Sequence, residues 1–96
     1  MIRLSVLYPK TDGADFDHDY YRNSHVPLAC QTWGIDGAEI DKGVDGPYEA
    51  AVHFTFDSLE ALGAAMSNEG TGAVIADVAN YTSIQPVMQT SEIVSS

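Results

Sequence analysis

The chain has 96 residues, of which 45% are apolar, and its 14 acidic against 4 basic side chains give a formal net charge of -10. This length predicts one domain, residues 1–96, which as a monomer would bury about 60 to 70% of the surface that its unfolded chain exposes. The acidic balance disfavours phosphate backbones and anionic membrane surfaces, so we expect neither nucleic acid nor a membrane as a partner.

The single cysteine, Cys30, excludes an intramolecular disulfide and is expected to be a buried small apolar residue in a helix. The amino-terminal apolar stretch Ile2 to Tyr8 is too short to span a membrane and does not resemble an export signal. We therefore expect a soluble, cytoplasmic protein.

The first predicted element is a strand with one apolar and one mixed face. Its apolar face carries Ile2, Leu4, Val6 and Tyr8, and its mixed face carries Arg3, Ser5 and Leu7. A turn-rich loop containing Asp12-Gly13 follows it.

A long helix is predicted next, from Phe16 through Ala29, with Asp15 or Asp17 as its N-cap. Tyr21 and His25 are four residues apart and so share a helix face. Pro27 lacks an N–H, so the helix should kink or loosen just before His25. Alternatively the helix ends there and restarts, with Trp33-Gly34 closing it.

The second half of the chain predicts two strands, two helical segments and a last strand. A short strand is expected over 38–42 and a stronger one from Tyr48 to Phe56. Asp57 is expected to cap a helix that carries Leu59, Leu62 and Met66 on one stripe. After a break at 68–70, a further helical turn or two starts at Thr71, and the last strand lies within 84–94 near Pro86.

This order, strand-helix-strand-strand-helix-strand, is typical of an α+β fold in which both helices cover one face of a four-stranded antiparallel sheet. The other face is predicted to carry Arg3, Ser5, Leu7, Glu49, Ala51, His53 and Thr55. Because this mixture suits neither a core nor open solvent, we expect a homodimer that pairs two such faces and encloses a partly polar cavity. The alternative is a sheet with its second face in solvent.

His53 is a candidate for acid–base catalysis, because the strand alternation places it on the mixed face and both protonation states of imidazole exist near neutral pH. His25, a lone histidine on the loosened helix, is by itself typical of a hydrogen-bonded structural residue, and its functional role rests on the family resemblance described below. Glu49 would orient His53; the alternative is that His53 pairs with Glu49 or Arg3 in a purely structural role. Tyr21 is expected to present its hydroxyl to the cavity as a donor to a developing oxyanion.

The remaining polar candidates are expected to be structural. His18 lies in an aspartate-rich first helical turn and is interpreted as solvated. Asp77 and Asn80 are interpreted mainly as helix caps; the alternative is that either of them bonds the carbonyls loosened around Pro27. The sequence has no Cys-x-x-Cys, His-x-x-x-His or Gly-x-Gly-x-x-Gly, so we predict no metal site and no cofactor.

Several segments together resemble the EthD family. They are Leu7-Tyr8-Pro9, the run from Phe16 to Ala29, the run from Phe56 to Leu62, and Ala76-Asp77-Val78-Ala79-Asn80-Tyr81-Thr82. The resemblance implies a ferredoxin-like βαββαβ unit that pairs into a dimeric α+β barrel. It also implies a cavity-lining role for His25, by analogy with a lactone-isomerising relative of this fold group. That relative's cavity tyrosine has no counterpart here, where Gly37-Ala38-Glu39 stands, so its reaction is not carried over.

Three functions remain open at this point. The first is a cofactor-independent isomerase or lyase that binds a small, partly apolar organic molecule and uses His25 and His53 for proton transfer. In that hypothesis Arg3, Ser5, Leu7, Glu49, Ala51 and Thr55 line the ligand cavity. The second is a non-catalytic small-molecule-binding accessory protein of an oxygenase or ether-degradation pathway. The third is a cofactor-free quinol-type monooxygenase.

Overall fold

The computed structural model describes residues 1–95, and its elements follow the predicted α+β order. In chain order they are β1 (Ile2–Pro9), α1 (His18–Tyr20), a π-helical segment (Tyr21–His25), α2 (Val26–Trp33), β2 (Ala38–Lys42), β3 (Tyr48–Phe56), α3 (Leu59–Met66), α4 (Thr71–Ala76), a 3-10 turn (Asp77–Asn80) and β4 (Val87–Glu92). Within this described range, every helix is too short or too polar to cross a bilayer.

The four strands form one antiparallel sheet in the order β2-β3-β1-β4. The sheet confirms the predicted ferredoxin-like topology, with β1 and β3 in the centre. β4 starts directly after Pro86 and lies at an edge, where a residue without an N–H disturbs the ladder least.

One face of the sheet carries the hydrophobic core. Leu4 lies opposite Phe54, and Tyr8 lies opposite Ala50, and all four side chains are buried against the helices. These positions alternate with those of the other face, as the period of a strand requires.

We call this second surface the open face, because no described helix covers it. Its middle row is Gln89, Ser5, His53 and Glu39, one end is Val87, Leu7, Ala51 and Asp41, and the other end is Ser91, Arg3 and Thr55. Its mixed composition is the one predicted from the sequence.

The long helix loosens where the sequence predicts it. In the π-helical segment, the N–H of Val26 donates to the carbonyl of Tyr21, five residues earlier, and Pro27 follows at once. The helix then continues without a break to Trp33, where Gly34 closes it with a left-handed φ of 68°. A proline without an N–H therefore widens one turn and leaves the helix otherwise intact.

The N-cap of α3 differs from the prediction by one residue. Ser58, not Asp57, has the extended backbone of an N-cap, and its Oγ accepts a hydrogen bond of 3.1 Å from the N–H of Ala61. The predicted apolar stripe is also only partly buried, because Leu62 is in the core while Leu59 is 64% exposed. The three residues share one helix face as predicted, but Leu59, in the first turn, is not covered by the sheet.

Candidate functional site

A cavity of about 190 Å³ lies between the core face of the sheet and helices α2 and α4. Apolar side chains form most of its wall, among them Val6, Ala29, Val52, Phe54, Val74 and Val78. Ile75 and Met88 also line it and are more than half exposed, so they mark its opening between α4 and the β4 edge. The cavity is therefore apolar and borders solvent at this edge.

His25 is the ionisable imidazole of this wall, and Asp77 holds it in place. The Nδ1 atom of His25 lies 2.9 Å from Oδ2 of Asp77. The other carboxylate oxygen of Asp77 accepts hydrogen bonds from the hydroxyl of Tyr20 at 2.7 Å and from Nδ2 of Asn80 at 2.9 Å. One carboxylate thus ties the loosened helix to the 3-10 turn.

The protonation states of this pair follow from burial and hydrogen bonding. Burial tends to raise the pKa of Asp77, but hydrogen bonds from Asn80, Tyr20 and His25 outweigh it, so the pKa lies below its ordinary value. For His25, burial lowers the pKa, and the hydrogen bond and charge of Asp77 offset that shift only in part, so the pKa lies below its ordinary value. Near neutral pH the pair is a carboxylate beside a neutral imidazole.

A carboxylate can only accept, so the proton of the neutral His25 ring resides on Nδ1. The Nε2 atom then carries a lone pair, and it has no hydrogen-bond partner within residues 1–95. An oriented imidazole with a free lone pair at an apolar cavity can act as a general base.

Aromatic rings surround His25 on its protein side. The ring of Tyr21 stacks on the imidazole at 5.6 Å, and the ring of Tyr81 lies 4.6 Å from it. The hydroxyls of Tyr8 and Tyr81 are hydrogen-bonded to each other. Burial raises the pKa of all three tyrosines, so their hydroxyls stay protonated at neutral pH.

Tyr21 does not take the position predicted for it. Its side chain is buried, it is absent from the cavity wall, and its hydroxyl has no partner within the described residues. Tyr8 of β1 contributes to the wall instead. The prediction placed Tyr21 on the correct helix face, but the imidazole of His25 lies nearer the cavity on that face.

His53 lies on the open face, on the opposite side of the sheet from His25. Its Nδ1 atom is 2.8 Å from Oγ of Ser5, and its Nε2 atom is 3.1 Å from Oδ2 of Asp41. This corrects the expectation that His25 and His53 face one cavity, because within one chain the sheet separates them. The helix of His25 packs on the face of Phe54, and the neighbouring strand position, His53, points the other way.

None of the other residues predicted to line the cavity lines the His25 cavity. Five of them belong to the open face by their strand positions, namely Arg3, Ser5, Leu7, Ala51 and Thr55, whereas Glu49 lies at an irregularity where β3 shifts register against β1. Glu49 binds Nε2 of His18 at 2.8 Å and does not orient His53. His18 was expected to be solvated, but its side chain is only 23% exposed and its ring lies 4.5 Å from that of Phe16.

Sequence reasoning missed the partners of both candidate histidines. Asp77 was interpreted as a helix cap, yet its carboxylate holds His25, which lies 52 positions earlier in the chain. Asp41 was not considered as a partner of His53. No short-range sequence pattern indicates these hydrogen-bonded pairs, because each pair forms only when two separate elements pack together. Within the described residues, no three His, Cys, Asp or Glu side chains are grouped so as to hold a metal ion.

The fold and the cavity together define a class. A four-stranded antiparallel sheet, helices on one face and a helix-side cavity are the features of a small α+β protein with ferredoxin-like architecture. The EthD domain model matches residues 9–85, so the chain belongs to the EthD family.

Solved structures agree with this assignment. An EthD-like protein from Ralstonia eutropha JMP134 is 38% identical, with a TM-score of 0.90 over 98% of this chain and 92% of that one. An EthD family protein from Bacillus halodurans C-125 is 20% identical, with a TM-score of 0.70 over 96% and 97%. A protein from Arabidopsis thaliana shares the fold at 13% identity, with a TM-score of 0.74 over 100% and 98%. No curated protein sequence matches this chain.

Proposed function

We propose that this EthD family protein binds a small, predominantly apolar organic molecule in the helix-side cavity and moves a proton to or from it through His25. The reaction class is cofactor-independent isomerisation or elimination. The observation that carries this proposal is the His25–Asp77 pair, which holds Nδ1 and leaves Nε2 free at the cavity wall. One positioned imidazole of this kind contributes about 10²- to 10⁴-fold to a proton-transfer rate.

The chemistry of the wall narrows the class of ligand. The hydroxyl of Tyr8 is bonded to Tyr81, and Thr71 Oγ1 donates to the carbonyl of Ala65 and accepts from Trp33. His25 Nε2 is therefore the free polar atom for a ligand. Since a neutral Nε2 accepts, the ligand should offer one hydrogen-bond donor or one acidic C–H bond on an otherwise apolar body.

Size and charge narrow the class further. The cavity, at about 190 Å³, is smaller than the roughly 300–1,000 Å³ of pockets for drug-sized ligands, which favours a molecule of about one ring. The carboxylate of Asp77 behind His25 and the net charge of -10 disfavour an anionic ligand. The family name links EthD proteins to ethyl tert-butyl ether, and a branched alcohol of that size, which adds the hydrogen-bond donor that an ether lacks, is a suitable probe.

Non-catalytic binding is the second candidate function. The hydroxyls of Tyr8 and Thr71 already have hydrogen-bond partners within the protein, which favours this role. Burial of apolar surface is then the main source of affinity for a ligand. In that role the protein would be an accessory that holds or delivers a small apolar compound in a cytoplasmic degradation pathway.

We also propose that two chains pair through the open face into a homodimer. Leu7 and Ala51 form an apolar end of this face together with Val87, which is 50% exposed, and Asp41 of β2 borders it. Covering these side chains removes apolar surface from water, and a twofold axis matches each face to its own copy. The His25 cavity lies on the other side of each sheet and would remain open in such a pair.

Exchange with deuterated water tests the catalytic proposal. Cyclopentanone, a neutral one-ring ketone with exchangeable C–H bonds, is incubated with the protein, and its deuterium content is followed by NMR. We expect the His25→Gln variant to exchange at least about 100-fold more slowly than the wild type, because the general base is lost. The matched control is His18→Gln, since His18 binds Glu49 outside the cavity.

Equal exchange by wild type and His25→Gln would contradict the catalytic role. Binding is measured separately by calorimetry with phenol and with anisole, its methyl ether. Phenol should bind several-fold more tightly, because one hydrogen bond contributes about 0.5–1.5 kcal/mol. Binding that depends on His25 without any catalysed exchange would establish the non-catalytic candidate instead.

A further inference from the structure

We propose that Trp33 sets the length of the ligand that the His25 cavity accepts, by closing the cavity at the end opposite to His25. This inference rests on the proposed function, because it concerns the same cavity. His25, Ala29 and Trp33 all line the cavity and follow one another at four-residue spacing along one helix face. A rise of about 1.5 Å per residue places Trp33 about 12 Å along the helix axis from His25.

A second space adjoins Trp33. It is a groove of about 370 Å³, which we call the α3 groove, and its wall includes Phe56 at the end of β3 and the small side chains Ala61 and Ala65 of α3. Within residues 1–95, Trp33 alone lines both the α3 groove and the His25 cavity. The indole is therefore the partition between the two spaces.

Hydrogen bonds and aromatic contacts hold the indole in this position. Nε1 of Trp33 donates to Oγ1 of Thr71 at 2.9 Å, and that hydroxyl donates in turn to the carbonyl of Ala65 at 2.6 Å. Because Thr71 lines the cavity and Ala65 lines the groove, these bonds cross the boundary between them. The indole also packs edge-on against the ring of Phe54 at 5.0 Å and lies 6.2 Å from that of Phe56.

This partition restricts the length of a ligand that is bound at His25. The small side chain of Ala29 leaves space along the helix face, and the space ends at the indole. An alkyl chain that points along the helix therefore meets Trp33. Without the indole, the chain would continue past it to Phe56 and Ala65, whose apolar surface would bury it.

Calorimetry with 4-alkylphenols of increasing chain length tests this role. The hydroxyl of each ligand donates to Nε2 of His25, which directs the chain towards position 33. In the wild type, 4-butylphenol should bind no more tightly than 4-methylphenol, because the longer chain meets the indole. In Trp33→Ala it should bind at least about tenfold more tightly than 4-methylphenol, since each buried methylene contributes about fourfold.

Two further variants accompany Trp33→Ala. Val74→Ala is the matched control, because Val74 lines the cavity and does not line the α3 groove. It enlarges the cavity without joining it to the groove, so its dependence on chain length should equal that of the wild type. Trp33→Leu keeps an apolar side chain of smaller size and should change the preference in the same direction as Trp33→Ala. Thermal unfolding establishes that each variant is folded.

Fluorescence of the wild type provides a measurement that needs no variant, because Trp33 is the single tryptophan of the chain. 4-Ethylphenol, whose chain points at the indole, should change the emission more than phenol does. An emission unchanged by 4-ethylphenol that calorimetry shows to be bound would overturn the role of Trp33, whether or not the variants fold.

The outcomes separate this inference from the proposed function. Equal dependence on chain length in the wild type and in folded Trp33→Ala, with phenol bound by both, would overturn the role of Trp33 alone. Failure of phenol and of every 4-alkylphenol to bind to any of the proteins would contradict the proposed function itself.

Discussion

At the scale of single residues, His25 owes its state to two opposing effects. Burial disfavours the charged ring, and the Asp77 carboxylate, itself held by Tyr20 and Asn80, favours it. Burial has the larger effect, so the ring stays neutral in the folded protein at a pH where the same residue in the unfolded chain begins to bind a proton.

This difference predicts how stability depends on pH. The pKa of His25 is lower in the folded state than its ordinary value of about 6.5, so on acidification through that value the unfolded chain binds a proton that the folded chain does not. The free energy of unfolding should therefore decrease as the pH falls from about 7 to about 5. Urea unfolding at a series of pH values measures it.

Two variants separate this contribution from the rest of the protein. His25→Gln should have a flatter profile over the same pH range, because it lacks the titrating ring. His18→Gln should keep the wild-type slope if the effect belongs to His25. A His25→Gln profile with the full wild-type slope would contradict the assignment.

At the scale of elements, the long helix and α3 show how local sequence sets local structure. The π-helical segment at Tyr21–His25 precedes Pro27 directly, and it brings His25 to the end of the widened turn, beside the cavity. In α3 the choice of N-cap depends on one backbone conformation, the extended φ and ψ of Ser58.

The cap predicts a difference between two neighbouring substitutions. Ser58→Ala should lower the free energy of unfolding by about 0.5–2 kcal/mol, because the N–H of Ala61 loses its acceptor. Asp57→Ala, one residue earlier and exposed, should change it by less than about 0.5 kcal/mol. Chemical denaturation of the two variants beside the wild type measures both, and a larger loss for Asp57→Ala would place the cap where the sequence alone predicted it.

At the scale of the whole molecule, the two faces of the sheet divide the protein into two regions. The core face carries the apolar packing and the His25 cavity, and the open face carries a polar middle row between an apolar end and Arg3. The net charge of -10 opposes close approach of two chains, so the proposed pairing depends on the apolar end of the open face.

This view predicts which leucine controls assembly. Leu7→Asp should convert a homodimer into a monomer, because it places a like charge from each chain on the paired faces. Leu59→Asp is the control, since Leu59 is exposed on α3, away from the open face. Sedimentation or light scattering at micromolar concentration measures the mass, and a wild-type protein with the mass of one chain would contradict the pairing.

Much of the architecture was predictable because its signals are local. The alternation from Tyr48 to Phe56 predicted a strand with the bounds that the structure has, and the missing N–H of Pro27 predicted the loosened turn before His25. Both signals act over a few bonds, through side-chain direction or a single backbone donor. The error at Ser58 is of the same scale, since two adjacent residues both suit an N-cap and only the backbone dihedrals distinguish them.

The sequence by itself thus determined the order of the elements, the composition of each sheet face and, through its motifs, the family. Only the tertiary structure decided that His25 meets Asp77 behind one face and that His53 meets Ser5 and Asp41 on the other. The physical reason is that periodicity specifies how a side chain points from its own element, whereas a hydrogen bond across 52 positions depends on which face of the sheet each helix covers.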